Sequence, residues 1–485
     1  MTKFNKILTI ALLNAFFFFV ISCKKLVVVS SPVNALTSEN VYSDNATAAS
    51  VLTGVYMSLN TNTPQTFSSI NSISLASGLS ADELIVYGGA ANANSTLVQF
   101  YLNQLTPGLS TSSGQTIWKS IYSSIYVINV ALERLLASNS LTPIVKQQLT
   151  GEAKFLRAFF YFYLVNLYGD VPLTTTSDYR FNSMLTRAPK TVVYQQVIAD
   201  LKESQGLLSN GYVASDAMSN TLERVRPNKW AATALLARAY LYSGAYDSAE
   251  IQATAVINNT ALYDTISLEN VFLKNSREAI WQLQPVNAGW NTEDARVFIL
   301  PSTGPTGNTS GSGFPVYLSP HLLNSFEPGD QRRRDWVDSV IVNSRIYYYP
   351  FKYKSATFNN PVTEYLMVLR IGEQYLIRAE ARADVNNFNG ALSDLNTIRA
   401  RAGLQGVTAG DKASLLAAIM HERQVELFTE WGHRWLDLKR TDNLEIIMDN
   451  ISTSKGSTWN SNWQWYPIPA YDIVQDPNLT QNPGY

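Results

Sequence analysis

The chain has 485 residues, of which 46% are hydrophobic, 12% aromatic and only 15% charged. That is enough apolar material for a sizeable core. A net charge of −1 leaves no basic field to hold a phosphate backbone, which excludes nucleic acid as a partner. The single cysteine, Cys23, excludes an internal disulfide framework and any multi-cysteine metal cluster.

In chain order, Lys3 and Lys6 precede an apolar run from Ile7 to Val20, too short to span a bilayer comfortably. Val20-Ile21-Ser22-Cys23 matches a bacterial lipobox, so residues 1–22 read as a signal peptide and Cys23 as the lipidated first residue of the mature chain. Residues 23–40 read as a tether, and Ala46 to Leu59 as the first helix. Beyond Ser80-Ala81-Asp82-Glu83 comes a stretch rich in Asn, Ser, Thr and Gly that reads as a long surface loop carrying Tyr87, Phe100 and Tyr101.

Trp118, Ile121, Tyr122, Ile125, Asn129, Leu132 and Leu136 recur at helical spacing. Thr142-Pro143 opens the next helix, which is aromatic nearly all round from Glu152 onward and so is predicted to be deeply buried. Lys190 to Leu208 gives another. From Asn228 to Ile257, Leu236, Ala237, Tyr240, Gly244, Tyr246, Ala249 and Ala253 fall at the offsets of a tetratricopeptide (TPR) helical hairpin. One such hairpin cannot bury its apolar faces alone, so it predicts partner helices elsewhere.

Glu278 to Gln284 alternates like a short strand, residues 285–320 read as a second long loop, and Ser339 to Tyr353 suggests a β-hairpin. Glu373 to Ile398 returns to TPR-like spacing, and Leu415 to Arg440 is helical with a break near Gly432. The proline-rich tail, Trp465 to Tyr485, is expected to lie extended against the body. The fold class is therefore mainly α: a TPR-containing helical superhelix with a loop-rich face and a few short strands. Trp118, Trp230, Trp281, Trp431 and Trp435 lie in periodic segments and are assigned to the core, and Arg332-Arg333-Arg334 reads as a solvated charge run beside Asp330 and Asp335.

Motifs for catalysis or metal binding fail on spacing. His421-Glu422 begins like HExxH, but position 425 is Val, and His321 and His433 complete no ligand set. No nucleophile elbow, Walker A loop or dinucleotide fingerprint is present. An α-helical glycosidase would need two carboxylates facing one sugar, and adjacent Asp82 and Glu83 would point apart on a strand-like segment.

Seven blocks carry a resemblance: EAKFLRAFFYFYLVNLYGDVPL, RPNKWAATALLARAYLYSGAYDSAE, FEPGDQRRR, EYLMVLRIGEQYLIRAEARA, DLNTIRARAGL, HERQVELFTEWGHRWLDLKR and WYPIPAYDIVQDPNLTQNPGY. In this order, behind a lipobox, they resemble the SusD/RagB nutrient-binding lipoproteins of Bacteroidetes outer membranes. The resemblance implies an N-terminal SusD-like helical region (41–277) and a C-terminal RagB/SusD region with binding loops (278–485). It implies non-catalytic, cofactor-free capture of oligosaccharide at the cell surface and delivery to a SusC-like TonB-dependent β-barrel transporter. RagB-like members handle peptides, so a peptide ligand is the alternative, followed by a TPR scaffold or a helical glycoside hydrolase. Lys24-Lys25 departs from the acidic residues that often follow the lipidated cysteine of surface-exported relatives. The candidate ligand-binding residues are Trp290, Tyr317, Phe314 and Tyr87, which would cover the C–H faces of pyranose rings. Asp82, Asn92, Asn94 and Asn291 would bond the hydroxyls.

Overall fold

The computed structural model describes residues 41–61, 64–92, 95–108, 116–307 and 313–485. The signal segment 1–22, Cys23, the tether 23–40 and Asn94 lie outside them. Helix α1 (Asn45–Ser58) starts at Asp44, whose carboxylate accepts the Ala46 and Thr47 N–H groups. Helix α2 (Ile73–Ser80) is wholly buried and leads into strand β1 (Leu84–Val86). The Lys455 ammonium donates to the carbonyls of Leu79, Ser80 and Ala81, satisfying the end of α2 with a cation where the helix dipole favours one.

The expected loop after residue 84 is partly regular. Helix α3 (Thr96–Leu102) is capped by Ser95 and closed by Asn103 in the left-handed region, and it buries Phe100 and Tyr101 instead of displaying them. Both cap residues were legible signals. Helices α4 (Ile117–Ala137) and α5 (Pro143–Tyr168) follow, and in α5 every side chain from Phe155 to Tyr168 is buried. Trp281 stands edge-on to Phe155 and Phe159, with centroids 4.9 and 5.3 Å away.

Helices α6 (Lys190–Leu207), α7 (Lys229–Tyr242) and α8 (Tyr246–Ile257) continue the row. Gly244, at φ +75°, makes the turn of the α7–α8 hairpin. The second hairpin, α10 (Ile371–Asp384) and α11 (Phe388–Arg401), packs directly on α8 although more than a hundred residues separate them in sequence. Arg238 of α7 grips Glu373 through two 2.6 Å bonds, and Arg382 of α10 reaches Glu250 at 2.7 Å. The two TPR-like units are thus neighbours in space, which is how a repeat buries what it cannot bury alone.

Between the hairpins the chain forms β2 (Ala279–Leu283), helix α9 (Glu293–Phe298), β3 (Val316–Leu318), β4 (Val337–Val342), β5 (Arg345–Pro350) and β6 (Leu366–Arg370). The expected loop from 285 to 320 therefore contains α9, begun by the Thr292 cap with two acids in its first turn, and β3. Strands β2 and β6 pair antiparallel and are buried along their whole length. Helix α12 (Lys412–Glu426) ends before the Gly432 break, where α13 (His433–Arg440) begins. The tail crosses the end of α5, with Tyr466 N–H on Leu167 O at 2.9 Å, and contains one helical turn, Ala470–Gln475. One hydrophobic core includes residues from Tyr42 to Leu479, on both sides of position 278.

The charge-run reading fails for Arg332, which is 0% exposed. Its guanidinium holds Asp330 in a two-bond fork and meets Glu422 at 2.6 Å and Glu426 at 2.9 Å. Arg334 does pair with Asp335 at the surface, and Arg333 lies over the Tyr348 ring. Trp118, Trp281, Trp431 and Trp435 are buried as expected, while Trp230 is only half-buried.

Candidate functional site

Strand β1 pairs antiparallel with β3, Ile85 opposite Tyr317, and Tyr87 extends the ladder by donating to Pro315 O at 2.7 Å. Alternation puts Leu84, Val86, Val316 and Leu318 inside and leaves Ile85, Tyr87 and Tyr317 on the other face. Beside them β4 and β5 form a hairpin whose two turn residues, Asn343 and Ser344, have φ of 50° and 64°. Such a two-residue turn matches the strand twist and fixes the register, so Arg345, Tyr347 and Tyr349 share one face.

That face meets the first one. The Tyr317 and Tyr347 rings are 5.2 Å apart at 85°, and Tyr87 and Tyr347 are 6.2 Å apart at 66°. Arg345 lies 4.9 Å over the Tyr347 ring and donates to the Tyr317 hydroxyl at 3.1 Å. Burial raises the Tyr317 pKa, against the opposing pull of Arg345. Phe314 packs half-buried in the same small cluster, next to Leu300, Tyr347 and Tyr349. Its N–H and carbonyl bond Thr306, and Gly313 beside it, at φ +104°, has no room for a Cβ against Gly307 O. Tyr87 is 42% exposed. The structure therefore unites three of the candidates, Tyr87, Phe314 and Tyr317, with Tyr347 and Arg345, which sequence reasoning passed over. The alternation of Arg345, Tyr347 and Tyr349 along a predicted hairpin was the available signal.

Trp290 forms a separate, half-buried group. Its ring sits 5.2 Å from Phe358, and the Arg296 guanidinium lies 4.3 Å from its centroid. Glu293 in turn holds Arg296. Asn291 is only 2% exposed, and its amide is spent on the protein. It donates to Ser355 Oγ and Pro361 O and accepts from the Thr363 and Glu364 N–H groups, pinning the 355–364 loop. Asn92 closes a short 3₁₀ turn, Gly89–Asn92, beside Tyr87 in sequence.

Asp82 is 4% exposed and forked by Arg434 at 2.8 and 2.6 Å. Burial by itself would raise its pKa, but Arg434 outweighs that and holds it below the usual carboxylate range. Glu83 accepts from Thr429 N–H, and burial together with Asp82 pushes it up to about 8. The structure thus places Asp82 and Asn291 inside the scaffold because each has protein partners that water or ligand would have to displace. Asp82 and Glu83 are both buried. A separate cavity of about 470 Å³, between α1, the 213–226 loop and the end of β2, has Glu223 as its one lining carboxylate. Among the described residues no group of three or more His, Cys, Asp or Glu side chains could hold a metal, and no helix is long and apolar enough to cross a membrane.

Residues 75–241 match the SusD-like family described as starch-binding and associating with the outer membrane, and residues 336–485 match the SusD family. SusD-like protein P2 of Formosa agariphila is 25% identical over 433 residues, covering 79% of this chain and 83% of that protein. A SusD superfamily protein from Bacteroides vulgatus superposes with a TM-score of 0.76 at 20% identity, covering 91% of this chain and 99% of that one. Surface glycan-binding protein A from Bacteroides fluxus superposes with a TM-score of 0.72 at 20% identity, covering 91% and 100%. With two family matches in chain order, relatives along most of its length and the same helical architecture, the chain belongs to the SusD/RagB family.

Proposed function

We propose that this chain captures an oligosaccharide at the outer membrane, without chemistry, and passes it to a SusC-like TonB-dependent β-barrel transporter. The observation that carries the reading is the grouping of Tyr87, Phe314 and Tyr317 beside Tyr347 and Arg345 on paired strands of a rigid helical frame. Pyranose rings offer apolar C–H faces that a tyrosine ring covers, while the hydroxyls take hydrogen bonds at its edge. The names of relatives support the ligand class, since one is a surface glycan-binding protein. Trp290, in its separate group, and Asn92 are further candidate contacts, Cys23 carries the lipid anchor, and the 41–277 and 278–485 regions both contribute residues to the face, Tyr87 from the first and Tyr317 from the second.

Each aromatic contact is worth about 0.5–1.5 kcal/mol. Three of them supply about 1.5–4.5 kcal/mol, which by itself holds a sugar at about millimolar or weaker and suits a protein that must release its cargo. Isothermal titration against a panel of oligosaccharides tests this. The Tyr87→Ala/Tyr317→Ala double variant is expected to lose about 5- to 150-fold in affinity at unchanged melting temperature. Unchanged affinity would remove this face from the site, and binding confined to peptides would replace the sugar with the RagB-like alternative. For the partner, mild-detergent pull-down from outer membranes is expected to recover a large β-barrel protein with the lipidated chain. Recovery of none would remove the stable complex.

A further inference from the structure

The geometry points to an anionic glycan: Arg345 is placed to recognise a carboxylate or sulfate ester on the sugar bound at the Tyr87–Tyr317 face. This rests on the reading of that face as the glycan site. Arg345 is exposed, and among the described residues its side-chain hydrogen bond goes to the Tyr317 hydroxyl, with no ion pair to a carboxylate. The neighbouring acid on its own hairpin, Asp338, stands opposite Tyr349 and bonds the Tyr349 hydroxyl at 3.1 Å. That is four residues along the strand from the Val342–Arg345 pair, or about 13 Å. The internal stretches 62–63, 93–94, 109–115 and 308–312 contain no Asp or Glu, so none of them carries a counter-charge to this face.

The guanidinium is also held in place. One plane covers the Tyr347 ring and one N–H is fixed on the Tyr317 hydroxyl, which orders the side chain before any ligand arrives. Its remaining N–H edge is left for an acceptor, and a planar fork of donors fits a carboxylate or sulfate in two parallel bonds. A neutral hydroxyl needs only an amide or another hydroxyl to bond it. An oriented, unneutralised cation on an aromatic shelf instead selects for negative charge.

Titration of three oligosaccharide classes of matched length, neutral, uronate-bearing and sulfated, tests this with the parent chain, Arg345→Gln and Arg345→Lys. Gln keeps hydrogen-bond donors without charge, and Lys keeps charge without the fork. The parent is expected to prefer one anionic class over the neutral one by about tenfold. Arg345→Gln should lose about five- to tenfold more on that class than on the neutral one, with Arg345→Lys between. Raising salt from about 50 to 500 mM should weaken the parent's anionic binding and leave that of Arg345→Gln nearly unchanged. Which anionic class binds distinguishes carboxylate from sulfate. A parent that prefers neutral sugar, or an Arg345→Gln loss equal on all classes, overturns the inference and leaves the glycan reading standing. No binding of any class overturns both.

Discussion

Glu426→Gln is expected to unfold about 3–5 kcal/mol more easily than the parent, read as a fall in the urea midpoint at constant slope. Glu426 is 0% exposed and lies among three guanidinium groups. One oxygen meets Arg370 at 2.5 Å and also Arg401, and the other meets Arg332 at 2.9 Å. Removing its charge leaves those cations under-compensated where water cannot reach them, and the new amide N–H₂ points at donors. The cost is then the desolvation of the stranded cations, not the modest net worth of one ion pair.

The same residue sets an acid limit. Burial would raise the Glu426 pKa, but Arg401, Arg370 and Arg332 outweigh it and hold it well below the ordinary value of 4.5. Because the folded value is depressed, this stabilisation is complete above the unfolded value and is lost as pH falls below about 4.5 towards the folded value. Glu430, held down by Arg370 and Lys352 against its burial, acts in the same direction. Urea midpoints measured from pH 7 down to pH 3 are expected to fall more steeply for the parent than for Glu426→Gln. Parallel curves would overturn this account.

Gly432→Ala is expected to cost about 2–4 kcal/mol, summing a left-handed backbone penalty and overpacking. Gly432 sits at φ +76° between α12 and α13. A Cβ there would stand 2.7 Å from Ser77 Oγ, 2.9 Å from Ser77 Cβ and 3.1 Å from Ile73 Cγ2, all on buried α2. Gly244→Ala is the control: its φ is +75°, but a Cβ would meet nothing within 4 Å, so about 1 kcal/mol of backbone cost remains. Equal losses for the two variants would show that packing on α2 contributes nothing. Helix α2 carries β1 and hence Tyr87, so Gly432→Ala should also weaken ligand binding, whereas Gly244→Ala should not.

The two TPR-like hairpins, the aromatic α5, the β2 strand, the β4–β5 hairpin and the Gly432 break were legible because each is written in local periodicity or a local cap. Helix α3 and helix α9 also carried such caps, Ser95 and Thr292, inside stretches whose polar composition reads as loop. At the site, Tyr87, Phe314 and Tyr317 could be named as aromatics in variable stretches, but not their convergence.

The sequence by itself determined the helical frame, the family and the aromatic character of the proposed binding face, since neighbouring residues set helix period, turn chemistry and apolar pattern. Tertiary structure alone decided which polar groups are free. Asp82 is claimed by Arg434, 352 positions away, and Arg332 by Glu422, 90 positions away, whereas Arg345 meets no acid among the described residues. A charged side chain looks the same in sequence whether its partner is water or a distant opposite charge. Only folding brings the partner within 3 Å and takes the water away.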